Sequence, residues 1–411
     1  MNYAVQSQPR RPRHNEGIRN FTDGLSSMPV ASLSRPVEVE GLNIAIEHCE
    51  YVGSYNWLDL KTPSILVPGS PRMWRDKALP FEIPPDQGRL LVYEDGFRMP
   101  AYPRLPMLKA VDVMTEATGR HLRWPDIDFI TDRNFLRKLL LWAGGGGSGR
   151  NDAFRIDLQL FGERTVLLNR YDERTWLNIN PKQGSYGRNF EEHTTTAAPG
   201  CERGGSHNRV VQYKFGGLSM LVVFEVDAYL SPENEASSSN APPSSSEIPV
   251  QNPTAPSKSP QERRQRSSQE QSELSEPTLN IIRAGTEVPQ SSLIELKTSI
   301  RPLSKKWNNA YPQLLFSQTP HIFFAEHKNG KFTSMARHQL GAPDMQEIDR
   351  GAEPRLKKLR SLLRDIQELA VRGGKTGRLT LLQRNGKMEV YERTSDASFL
   401  PESISQRFDP L

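Results

Sequence analysis

The sequence predicts an α+β fold, a mixed β-sheet core flanked by helices, and three observations predict it. Apolar, β-branched runs at 218–230 (LSMLVVFEVDAYL) and 292–300 (SLIELKTSI) read as buried strands. Gly216-Gly217, Asn329-Gly330 and Asn385-Gly386 are two-residue turn signals that fold neighbouring runs into hairpins. Stretches at 105–118, from Arg133 onward and at 352–371 place leucines and other apolar residues at helical spacing.

The elements follow in order. Residues 1–36 are polar and aperiodic, and are expected to form a disordered arm ahead of a single folded domain, 37–411. Short strands are expected at 65–67 and 90–93, then the helix at 105–118. Thr131 or Asp132 can cap a helix whose apolar face holds Phe135, Leu136, Leu139, Leu140 and Trp142. Residues 153–168 alternate apolar and polar around Gly162, an antiparallel pair, and 176–179 add a strand. Residues 209–215 and 218–230 form a hairpin about Gly216-Gly217. A short helix at 311–317 precedes a strand at 321–326, and 378–392 form a hairpin about Asn385-Gly386. The leucine stripe of 352–371 spans too few heptads for a coiled coil and reads as a docking face.

One segment interrupts this domain. From 231 to 277 the chain turns to Ser, Pro, Glu and Gln, a composition that cannot bury a core. The cost of closing a loop grows only logarithmically with length, so the two flanks still read as one domain.

Composition narrows the function classes. The 411 residues carry a formal net charge of +5 and are 36% hydrophobic, which leans toward polyanionic partners. Cys49 and Cys201 have neither a pairing pattern nor metal-ligand spacing, which suggests a reducing compartment. No G-x-S-x-G elbow appears, and the glycines at 144–149 lack the Lys-Ser/Thr of a phosphate loop. His321 and His327 have the wrong spacing to chelate jointly from one helical turn. No apolar h-region opens the chain, and no stretch is long and apolar enough to span a bilayer, so a soluble intracellular protein with no membrane partner is expected. Arg10-Arg11-Pro12-Arg13 and Arg263-Arg264-Gln265-Arg266 are short basic clusters of the kind that serve as addresses or are simply solvated.

The chemistry concentrates in two strands. Side chains alternate along a strand, so Glu225 and Asp227 share a face, as do Glu295 and Lys297, while Val226 and Leu296 point to a core. If the strands are neighbours, three carboxylates and an ammonium meet. Burying unpaired charges costs on the order of several kcal/mol each, and a divalent cation offsets that cost for oxygen ligands. An E-x-D strand facing an E-x-K strand therefore reads as a metal-dependent phosphodiester-cleaving site.

Four features in chain order resemble the decapping exoribonuclease (DXO) family. They are Gly187-Arg188-Asn189-Phe190-Glu191, Glu225-Val226-Asp227, Glu295-Leu296-Lys297-Thr298, and Gln313 leading to Pro320-His321-Ile322. Arg133 within FITDRNFLRKLL is similar to the family's phosphate-contacting arginine. The resemblance covers residues from about 130 to 335 and implies a fold of the PD-(D/E)XK nuclease type. It also implies removal of incomplete or non-standard caps or pyrophosphate from RNA 5′ ends, with 5′–3′ exonuclease activity in some members.

By that resemblance Glu191, Asp227, Glu295 and the Leu296 carbonyl hold Mg²⁺ or Mn²⁺, and Glu225 completes a second metal site or binds a metal-bound water. Lys297 and Gln313 serve the attacking water, and Arg133 holds the 5′ phosphate. The implied partners are a capped, triphosphate or monophosphate RNA 5′ end and a nuclear 5′–3′ exoribonuclease. Nuclear residence is the expectation, with the cytoplasm as alternative. In this chain Pro312 stands directly before Gln313, which places Gln313 near the start of a shortened helix. Two other readings compete: a PD-(D/E)XK-type DNA nuclease, and a catalytically silent scaffold that binds a processive exonuclease.

Overall fold

The computed structural model describes residues 18–38, 44–146, 149, 152–232, 278–300 and 307–410. Two mixed sheets organise it. The larger has eleven strands, with Leu218–Val226 near its centre, parallel to Phe129–Asp132 on one side and antiparallel to Gly204–Phe215 on the other. The smaller has seven strands and centres on Leu293–Ser299, parallel to His321–Lys328, which pairs antiparallel with Lys331–Gln339. Parallel central strands are the kind that must be covered on both faces.

The packing shows that they are. Along Leu218–Val226, Met220, Val222 and Phe224 enter one apolar core while Leu221 and Val223 enter another. The first core is closed by the helices Arg133–Ala143, Trp307–Ser317 and Gln346–Gly373, and the second by the helix Leu105–Thr118. Leu293, Ile322 and Phe324 of the smaller sheet also lie in the first core, so the two sheets share it. Val226 and Leu296 are buried, as their alternation requires.

The turn chemistry holds. Gly216 and Gly217 have φ of +51° and +83° between Gly204–Phe215 and Leu218–Val226, a left-handed pair that glycine adopts without a Cβ clash. Asn385 and Gly386 do the same between Leu379–Arg384 and Lys387–Glu392.

Several boundaries move. The arm expected to be disordered through 36 is structured from residue 18: Ala31–Leu33 pairs antiparallel with Lys387–Glu392 at the edge of the large sheet. Tertiary hydrogen bonding, not local pattern, makes that strand. Ile46–Leu58 adds a thirteen-residue strand to the large sheet ahead of the one expected at 65–67.

The helix expected from 311 begins at Trp307 and holds Pro312 in its interior. An interior proline costs about 3 kcal/mol, and burial of Ala310, Tyr311, Leu314 and Phe316 offsets it. The leucine stripe of the long helix is no external docking face, because Leu356, Leu359, Leu362, Leu363 and Ile366 are buried in the first core. The Arg10–Arg13 and Arg263–Arg266 clusters, and all but the first two residues of the 231–277 insertion, lie outside the described residues.

Candidate active site

The site forms where the chain changes sheets. Leu218–Val226 ends in the large sheet, and Ala228–Tyr229 pairs in the smaller one, with Ala228 opposite Ile294 and Tyr229 opposite Leu293. Asp227 is the residue between them. Its carboxylate accepts the Leu296 N–H at 2.8 Å, which fastens the E-x-D segment to the E-x-K strand. The apposition expected from sequence is thus present, made by one crossover residue rather than by a long ladder.

Glu295 is the charge centre. It is 2% exposed, and its two oxygens accept from different cations: Arg133 Nη1 at 2.7 Å and the Lys297 ammonium. Burial pushes its carboxyl up, but the Arg133 and Lys297 charges outweigh burial and hold it at about 2. Lys297 Nζ also lies 3.9 Å from Asp227 Oδ2.

Arg133 comes from the first residue of the helix Arg133–Ala143, which Asp132 caps by accepting the Phe135 N–H at 2.9 Å. Asp132 is itself fixed by the buried Arg104 at 2.8 Å, so the arginine springs from an anchored helix start. Its guanidinium lies 5.6 Å from the Phe224 ring centroid, and Nη2 donates to the Glu225 carbonyl at 3.4 Å.

Glu191 arrives from the helix Gly187–Thr194. Buried Asp86 accepts the Asn189 and Arg188 N–H groups at the start of that helix, at 2.8 and 3.3 Å. Phe190 is fully buried against Trp74, Phe81 and Phe332, so the helix is held at its start and along its middle. Burial, then the charges of Asp227 and Glu225, push the Glu191 carboxyl well above the usual carboxylate range. Asp227 is pushed up to about 7 by burial and then by Glu295. Glu225, though it reaches solvent at the end of its strand, is raised by desolvation of its carboxyl against the opposing pull of Arg133.

Sequence reasoning missed three neighbours. Glu94 and Ser206 face Glu225, with Ser206 Oγ donating to Glu94 Oε2 at 3.0 Å. Arg137, one helical turn beyond Arg133, is half-buried and makes no hydrogen bond or ion pair among the described residues. Only the i, i+4 spacing from Arg133 could have pointed to it. Gln313 is not brought to the carboxylates by any direct contact; its amide donates to the Asn309 carbonyl at 3.2 Å within its own helix.

Four carboxylates, Glu191, Glu225, Asp227 and Glu295, therefore crowd around two cations, Arg133 and Lys297. The all-oxygen donor set and the mutual repulsion that raises Glu191 and Asp227 fit a hard divalent cation. Among the described residues no three His, Cys, Asp or Glu side chains stand together at chelating distance.

Comparisons with known proteins agree with the fold. Candida albicans Rai1, solved in complex with pU5-Mn²⁺, is similar over 92% of this chain and 98% of its own, at 11% identity and a TM-score of 0.55. Scheffersomyces stipitis Rai1 is similar over 92% of this chain and 97% of its own, at 11% identity and a TM-score of 0.56. S. pombe Rai1 in complex with 3′-FADP is similar over 90% of this chain and 97% of its own, at 15% identity and a TM-score of 0.50. The resemblance to the decapping exoribonuclease family thus holds at the level of fold. No curated protein matches the chain by sequence. A family model described as "Domain of unknown function (DUF8563)" matches residues 35–409.

Proposed function

The chain belongs to the DUF8563 family, and on that premise we propose that it is a metal-dependent hydrolase of RNA 5′ ends. It removes incomplete or non-standard caps or pyrophosphate in RNA quality control. One observation carries the reading: Asp227 and Glu295 are fastened together across two sheets, with Lys297 and Arg133 against them. The fold shared with Rai1, one structure of which holds pU5 and Mn²⁺, supports the choice of RNA over other phosphodiesters. Nuclear residence is part of the proposal.

Glu191, Asp227, Glu295 and the Leu296 carbonyl would hold Mg²⁺ or Mn²⁺, with Glu225 at the rim. Such an ion, when bound, polarises a phosphoryl oxygen and lowers the pKa of water. The chain's own residues do the rest. Lys297, held between Glu295 and Asp227, keeps its proton: burial lowers its pKa, but the two carboxylates raise it further. It presents a fixed positive charge to the developing phosphorane and orients the attacking water.

A guanidinium has five N–H donors, and Arg133 directs two nitrogens at Glu295 and the Glu225 carbonyl, which leaves donors for the 5′ phosphate. Arg137 adds a second guanidinium one turn away. Gln313 would have to exchange its bond to the Asn309 carbonyl to serve the water.

The test incubates the purified protein with 5′-triphosphate, incompletely capped and 5′-monophosphate RNAs, with Mn²⁺ or EDTA, beside matched DNA. Mn²⁺-dependent release of the 5′ group from RNA is expected. Cleavage of DNA alone would move the assignment to a DNA nuclease, and no turnover of either to a silent scaffold.

A further inference from the structure

Beside the carboxylates stands a surface the proposed hydrolysis does not use. Gly88–Leu91 and Trp176–Ile179 form a separate two-stranded antiparallel ribbon, with Trp176 opposite Leu91 and Asn178 opposite Arg89. Residues directly opposite share a face and faces alternate, so Trp176 and Arg89 lie on one face while Leu90 and Leu177 lie on the other. On the Trp176 face the Arg89 guanidinium lies 4.8 Å from the indole centroid. Phe97 approaches the indole edge-on at 5.4 Å and is 41% exposed. Arg188 donates to the Arg89 carbonyl at 3.3 Å, which brings a second exposed guanidinium to the same place.

The elements that carry this surface are those that flank the site. Phe97 lies one turn after Glu94, the residue against Glu225, on the helix Glu94–Arg98. Arg188 lies one turn before Glu191 on the helix Gly187–Thr194. Two like charges gathered beside an exposed phenyl ring and a half-buried indole suit a polyanion that also carries flat apolar groups, and single-stranded nucleic acid has both. We propose that Phe97 and Trp176, with Arg89 and Arg188, form a stacking platform for nucleobases of a single-stranded RNA whose 5′ end lies at the carboxylate cluster. The inference rests on the RNA 5′-end reading and adds to it a way of preferring a longer unpaired strand to a short one.

The experiment measures equilibrium binding of the full chain to 5′-monophosphorylated oligouridylates by fluorescence anisotropy, in EDTA so that hydrolysis is off. A dinucleotide and an oligonucleotide of about eight residues are compared. Phe97→Ala is expected to weaken binding of the longer RNA about tenfold and to leave the dinucleotide unchanged. Phe97→Tyr should retain wild-type affinity. Arg89→Glu should weaken the longer RNA and flatten its salt dependence. Far-ultraviolet circular dichroism and an unchanged melting temperature establish that the variants are folded.

If the wild type binds the longer RNA no better than the dinucleotide, or Phe97→Ala binds it as the wild type does, the platform is overturned. The two readings fail separately. Platform variants that lose RNA binding in a protein that hydrolyses no RNA end would leave the platform standing and remove the hydrolase. A hydrolase whose long-RNA affinity ignores Phe97 and Arg89 would do the opposite.

Discussion

Two tripeptides of this chain have the same layout and opposite characters. Arg155-Ile156-Asp157 and Glu295-Leu296-Lys297 each put a cation and a carboxylate two residues apart on one face of a strand, and each has a buried carboxylate. Within the Arg155–Asp157 pair each charge has its partner. The guanidinium makes a two-pronged pair with Asp157 at 2.7 and 3.2 Å and donates to the Phe21 and Asp23 carbonyls, and Thr380 donates to Asp157 at 2.6 Å. Around Glu295, three more carboxylates press in and share the same two cations. An i, i+2 ion pair on a strand is therefore not a sign of chemistry. A surplus of carboxylates is, because it is a cost that protonation or a bound cation must remove.

The comparison can be broken first at the balanced pair. Asp157→Ala leaves Arg155 buried without its carboxylate and should destabilise the protein by about 3 kcal/mol or more, read from urea unfolding. Mn²⁺ sharpens the contrast. At 100 times its dissociation constant it should stabilise the wild type by about 2.7 kcal/mol. The same added stability should appear in Asp157→Ala, and none in Asp227→Ala.

Neutralising a site carboxylate whose pKa is raised should have the reverse sign from neutralising Asp157. The Glu191 carboxyl is raised in the fold, so its ionised form costs stability at every pH above its unfolded value. Glu191→Gln should therefore stabilise the metal-free protein at pH 7, by about 1 kcal/mol, while removing hydrolysis. A melting temperature below that of the wild type would contradict the repulsion argument.

Asp95 gives an effect that is read in the pH dependence of stability. It is buried, accepts from the Tyr55 hydroxyl at 2.9 Å and Trp57 Nε1 at 2.7 Å, and is pushed up to about 6 by burial against those donors and Arg104. Its folded value lies above its unfolded one, so its share of stability is greatest below about pH 4 and falls as pH rises through 6. Asp95→Asn should flatten the pH dependence of the melting temperature between pH 4 and 7, by the equivalent of about 1–2 kcal/mol.

What was legible in the sequence was whatever local chemistry decides. The glycine turns, the Asp132 cap and the alternation that buries Val226 and Leu296 depend on neighbours a few residues away. The meeting of Glu225-Val226-Asp227 with Glu295-Leu296-Lys297 was also legible, because charges set inside apolar runs are costly to bury unless they gather against one another or around an ion. Ala31–Leu33 was not, since a three-residue edge strand exists only through its hydrogen bonds to the distant hairpin. The helix across Pro312 was not, because burial of its flanks outweighs the local rule. Glu94 and Arg137 escaped for a third reason: nothing in their own segments marks them, and only the folded chain sets them against Glu225 and Arg133.

The central claim is that the unbalanced cluster, not the balanced pair, is the hydrolytic centre. The most direct test is the rate of Mn²⁺-dependent 5′-group release from 5′-triphosphate RNA by the wild type, Asp227→Asn and Asp157→Asn, each checked for folding at the assay temperature. The account predicts that Asp157→Asn, wherever it is folded, works at close to the wild-type rate, and that Asp227→Asn is folded and inactive. A folded Asp227→Asn protein that releases the 5′ group at the wild-type rate would contradict it.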